Sequence, residues 1–112
     1  MIVENIELFY LSMPEILDEA DGSQDALIVK VEAGGFEGWG ECEASPLTSI
    51  ANFICPKSHS AANPIKNSII NQEINNLKDI KRIIETVKHK SLMIAQTPHT
   101  FSGIEVALLD LL

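Results

Sequence analysis

Two successive glycines, Gly34 and Gly35, set between two runs of alternating apolar and polar residues, leave this chain few ways to fold. Before them, Leu27, Val29 and Val31 share one face of a period-2 pattern and Lys30 and Glu32 the other, which reads as a half-buried strand over 25–33. The glycine pair supplies the positive φ angles of a two-residue hairpin turn without a Cβ penalty, so a second strand is predicted over 36–43. Inside it, Gly38 and Gly40 flank Trp39. Alternating glycines weaken a strand interior, so either something packs close against the backbone there or the bare face simply accommodates a bulky neighbour.

An earlier strand is predicted over 2–12. Ile2, Ile6, Leu8 and Tyr10 share one parity while Val3, Phe9 and Leu11 have the other, the pattern of a strand covered on both faces. Met13-Pro14 ends it, because proline lacks the ladder donor and restricts the residue before it. The connection over 14–24 holds Glu15, Asp18, Glu19 and Asp21, and it is longer than two neighbouring strands need, which makes it a functional-loop candidate, the alternative being one short helical turn of no consequence. A second long irregular stretch covers 44–63. There Leu47, Ile50, Phe53 and Ile54 have spacings that suit a short helix.

Three helices are predicted in the second half. A short one over 64–71 starts with Pro64 and ends at Asn71, a residue that tolerates the left-handed conformation. A longer one over 77–89 has Leu77, Ile80, Ile83, Ile84 and Val87 as its stripe, Asn75 or Asn76 as N-cap and basic residues at its end. A last helix over 102–112 is predicted from the capping-box spacing of Ser102 and Glu105 and the staple positions of Phe101 and Val106. It is apolar nearly all round and lacks a stop signal, which predicts that the 112-residue sequence, a single domain over 1–112, is a truncated part of a larger protein. The alternative is that two copies bury these helices against each other, as a homo-oligomer or swapped dimer.

A net charge of −8 argues against nucleic-acid binding, which needs clustered cations. The charge is divided: Lys30 is the sole basic residue up to Glu43, whereas Lys78, Lys81, Arg82, Lys88 and Lys90 gather in the second half. No apolar run approaches the roughly 20 residues of a membrane span, and Met1-Ile2-Val3-Glu4 does not look like a secretory signal. A cytoplasmic setting with Cys42 and Cys55 reduced is expected. Cys42, Cys55 and His59 fall short of a zinc site because no fourth ligand has suitable spacing. Nor do His59, His89 and His99 have an associated nucleophile or carboxylate, so no catalytic residue is assigned.

The order of strand, long loop, strand, Gly-Gly turn, Gly38-Trp39-Gly40-Glu41, long loop, helix and Ser102-Gly103-Ile104-Glu105-x-Ala107-Leu108-x-Asp110-Leu111 resembles the N-terminal capping domain of the enolase superfamily, in its mandelate racemase and muconate lactonizing branch. Glu105 stands where an aspartate is common and Leu109 where a tryptophan is common. The resemblance implies an α+β domain, a three-stranded antiparallel meander followed by a helical bundle, capping a (β/α)8 barrel that is absent from this chain. In that family the barrel holds Mg2+ and the bases that remove a proton α to a carboxylate. A capping domain closes two loops over a small carboxylic acid and selects among substrates, and by position these loops are 14–24 and 44–63. Glu15, Ser45, Ser49 and Phe53 are the substrate-capping candidates. The implied parent is a racemase, cycloisomerase or acid-sugar dehydratase, and the chain alone is expected to be silent. The rival reading is a free-standing dimerisation or partner-binding module without catalysis.

Overall fold

The computed structural model describes residues 1–18, 24–42, 45–57, 63–91 and 96–112. Three antiparallel strands, β1 (Val3–Ser12), β2 (Asp25–Ala33) and β3 (Phe36–Cys42), form one sheet in the order β1-β2-β3. Helix α1 (Pro46–Ile54), a single 3₁₀ turn (Ile65–Ser68), α2 (Leu77–Lys90) and α3 (Gln96–Leu111) follow. The three-stranded meander with helices is the α+β architecture expected, and no barrel is present among the described residues.

The hairpin forms as the glycines dictate. Gly34 and Gly35 have φ of 58° and 82°, and Ala33 faces Phe36 across the turn. Leu27, Val29 and Val31 are fully buried on the inner face, toward the helices. The mixed parity of β1 has a different cause from the one its pattern suggests. Its register with β2 shifts between Val3 and Asn5, so one extra residue lets Val3 and Ile6 both point inward. Phe9 and Leu11 are not covered: they are 37% and 57% exposed on the outer face.

The expected helix over 64–71 shortens to the 3₁₀ turn. The chain is drawn away by β1, where Asn71 N–H donates to Val3 O and Val3 N–H to Gln72 O, each at 2.9 Å. Asn71, at φ 66°, makes the left-handed exit. Helix α2 starts under the Asn76 cap, whose Oδ1 accepts from the Lys78 and Asp79 amides at 2.9 and 3.3 Å. Asp79 reciprocates by accepting the Asn75 amide at 2.8 Å, and that bond holds its carboxyl below the usual range.

Helix α3 corrects one expectation. It begins at Gln96 rather than near Ser102, so the capping box does not exist. Ser102 lies inside the helix, where its hydroxyl donates to the His99 carbonyl at 2.8 Å, and Val106 is 51% exposed instead of stapled. Burial of Thr97, Thr100 and Phe101 on the inner side carries the helix back past the local start signal. Ile104, Ala107 and Leu108 continue that buried side into a core shared with Phe53, Ile83 and the sheet.

Candidate functional site

The two motifs meet at one interface. The odd residues of β3 face outward, while Gly38, Gly40 and Cys42 face α3. A Cβ on Gly38 would overlap the carbonyl oxygen of Ala107, and one on Gly40 would overlap that of Gly103. A Cβ on Gly103 would lie 2.6 Å from Cys42 Sγ and 2.7 Å from Cys42 N. Backbone therefore rests on backbone, and of the two readings of the strand glycines the close approach holds rather than a bulky neighbour. Asp110, one turn beyond Ala107, accepts the outward-facing Trp39 amide at 2.9 Å and satisfies an edge donor of β3. The contributions of Gly103 and Asp110 were not read from the sequence as contacts. The signal was present in the small-x-x-x-small spacing of Gly103 and Ala107, which matches the strand glycines.

This joint fixes the end of β3, from which the 44–63 stretch departs. Cys42 is 4% exposed, its thiol lies 3.3 Å from the Thr100 carbonyl, and burial pushes its pKa up to about 11. A neutral, buried thiol is a poor metal ligand. Among the described residues no three His, Cys, Asp or Glu side chains converge as a metal site, and His59 lies outside them.

At the same end of the sheet, the mouth of the first loop is tied by Gln24. Its carbonyl accepts the Met13 amide at 2.8 Å and its side-chain oxygen the Leu17 amide at 2.6 Å. Tyr10 donates to Asp25 at 3.0 Å, and that bond raises the phenol's pKa. Leu11, Met13, Gln24, Asp25 and Glu41 help to line an open concavity of about 330 Å3. Glu15 stands exposed beyond this mouth, and Ser45 is exposed immediately before α1. Ser49 and Phe53 lie one turn apart on the inner side of the helix, 0% and 1% exposed. Of the four capping candidates, two are thus at the surface and two within the domain. Residues 19–23, 43–44 and 58–62 of the two loops lie outside the described residues.

Over 98% of its length the chain matches a solved structure described as a predicted mandelate racemase from Rhodobacter sphaeroides, at a TM-score of 0.92 and 55% identity. The chain is an enolase-superfamily N-terminal domain. It spans 28% of that relative's chain. A second solved structure, described as a suspected racemase, shares the fold of this N-terminal domain at a TM-score of 0.75 and 24% identity, over 98% of this chain and 27% of the other. No protein-family model and no curated protein sequence matches the domain. Among its described residues, no helix is long and apolar enough to cross a membrane.

Proposed function

We propose that this N-terminal domain caps the active site of a longer enzyme that removes a proton α to a carboxylate, of the racemase, cycloisomerase or acid-sugar dehydratase type. The observation that supports this reading is the 55% identity, over 98% of the chain, to a protein described as a predicted mandelate racemase. The parent works in the cytoplasm on a small carboxylic acid. Its remaining portion, a (β/α)8 barrel, supplies the bases and the Mg2+ site, and the metal stabilises charge developing on the carboxylate. The described residues of this chain hold no converging set of ligands for that ion.

The chain's own part is to close the two loops over the bound acid, exclude water and discriminate among substrates. Glu15 and Ser45 are the accessible candidates for that contact. Ser49 and Phe53 hold α1 in place and so position Ser45. Alone, the domain is catalytically silent.

The test is α-proton exchange in D2O, followed by proton NMR, on a panel of 2-hydroxy acids and acid sugars with Mg2+. The full-length protein is expected to exchange at least one acid, and the 112-residue chain none above a buffer control. Exchange by the isolated chain, or none by the full-length protein, overturns the proposal.

A further inference from the structure

One residue, Gln24, holds the first connection on both sides of its opening turn. The β1–β2 ladder ends with Ser12 opposite Asp25, and one further rung follows, in which the Met13 amide donates to the Gln24 carbonyl at 2.8 Å. Pro14 comes next and has no N–H, so the main chain lacks a donor with which to continue. The following attachment is made to a side chain instead: the Leu17 amide donates to Gln24 Oε1 at 2.6 Å. Both oxygens of Gln24 are therefore acceptors for the same segment, one before and one after Pro14, Glu15 and Ile16.

Apolar burial does not hold this segment. Met13, Ile16 and Leu17 are 56%, 51% and 51% exposed, and Glu15 is exposed as well. Apart from the Leu17 bond, no hydrogen bond or ion pair reaches residues 14–18 among the described residues. Gln24 is half-buried, and its neighbour Asp25 accepts the Tyr10 hydroxyl at 3.0 Å, so the two bonds start from a base fixed to the sheet. Pro14 also has its own φ locked near about −65°. Glu15 thus stands at the centre of a three-residue arch pinned at both feet, and little ordering is left to be done when a ligand arrives. A carboxylate accepts hydrogen bonds and donates none, which suits a substrate hydroxyl and opposes a second carboxylate.

We propose that Gln24 is the positioning residue for Glu15: by pinning the arch on both sides it sets the Glu15 carboxylate to accept a hydroxyl of the bound acid distal to the reacting carboxylate. The enzyme then prefers acids that carry such a hydroxyl to those that lack it, a role that rests on the capping function proposed above.

The test is steady-state kinetics of the full-length protein on a hydroxylated acid it exchanges and on the analogue without the distal hydroxyl. Gln24→Met is expected to raise KM for the hydroxylated acid about fivefold, the worth of one hydrogen bond. Its kcat should stay within about twofold, because a contact away from the reacting centre is made equally in ground and transition states. KM for the analogue should not change. Gln24→Glu keeps an acceptor and should restore KM. The double variant Gln24→Met/Glu15→Ala should be no worse than Glu15→Ala, since the first residue acts only through the second. Hydrogen exchange should show the Leu17 amide losing protection in Gln24→Met and keeping it in Gln24→Glu, with the circular dichroism spectrum unchanged in both. Gln24→Ala replaces the methionine variant if that protein misfolds. If the wild type exchanges no acid, the capping function fails and this role with it. If the wild type is active but favours the analogue, the positioning role alone is overturned. The same holds if Gln24→Met keeps its KM, affects both acids equally or adds its effect to that of Glu15→Ala.

Discussion

Gly40→Ala adds one methyl group at the point where β3 and α3 touch. Its Cβ would overlap the carbonyl oxygen of Gly103 and lie 3.0 Å from the Ala107 nitrogen and 3.2 Å from the Gly103 carbonyl carbon. All three obstacles are backbone, so no side-chain rotation clears them and α3 must lift from the sheet. Forced insertion into a close-packed core costs about 1–3 kcal/mol, and the upper part of that range applies where backbone must yield. Against this, alanine restricts the unfolded chain more than glycine does, a gain of about 0.4–1 kcal/mol. The net expectation is a loss of about 2 kcal/mol, which lowers the melting temperature by roughly 8–16 °C for a domain near this size. Urea unfolding followed by circular dichroism, at fixed pH and salt, measures it. Gly35→Ala is the control, since nothing lies within 4 Å of its added Cβ and only its φ of 82° opposes the change, at a cost of about 1 kcal/mol. A Gly40→Ala protein as stable as its parent, or no less stable than Gly35→Ala, would refute the close-approach account.

Asn76→Ala removes an oxygen that accepts two amides at the start of α2 and should cost about 1 kcal/mol in the same unfolding assay, with Asn76→Asp close to neutral. Asp79 and Glu32 both have carboxyls lowered, the first chiefly by the Asn75 amide and the second by Lys30. Their stabilisation is present above the ordinary carboxylate pKa and is lost as pH falls through the lowered folded value, so Asp79→Asn should flatten the acid limb of a stability-against-pH curve. The amine of Lys30 is raised by its bond to Glu32, so its contribution is present below the ordinary lysine pKa and fades as pH rises through the raised value. Iodoacetamide at pH 8 should label Cys55 in the native chain and reach Cys42 only on unfolding, because the Cys42 thiol is buried with a pKa of about 11; mass spectrometry of the labelled peptides distinguishes them.

The hairpin was legible because its determinants are local: two glycines with φ above zero and an alternation on either side. The cap of α2 and the Ile80, Ile83 and Val87 part of its stripe were legible for the same reason, whereas Leu77, read as the start of that stripe, is 58% exposed. The start of α3 was not, since Ser102 and Glu105 carry a capping signal that burial of the preceding turn overrides. The parity conflict in β1 was visible, but its resolution needed the bulge opposite β2, which is a property of two strands. At the candidate site, loop length located both connections, yet it gave no phase for α1. Ser49 and Phe53 turn inward because α1 rests on α3, a contact between segments about fifty residues apart. The resemblance succeeded where local reading could not: it joined two motifs more than sixty residues apart, and the structure shows them as the two surfaces of one joint.

That joint has a further consequence. Advancing from Gly103 to Ala107 raises the helix by about 6 Å, and stepping back from Gly40 to Gly38 covers about 6.6 Å of strand, so two small residues on one element coincide with two on the other for a single repeat and no longer. The contact works as a notch. A slip of α3 by one residue would bring the side chain of Ile104 or Val106 against a strand that has no room for it, and the helix is indexed to the sheet much as a key is to its wards. Any displacement of α3 must then carry β3 along with it, because no rotatable side chain stands between them to absorb the movement.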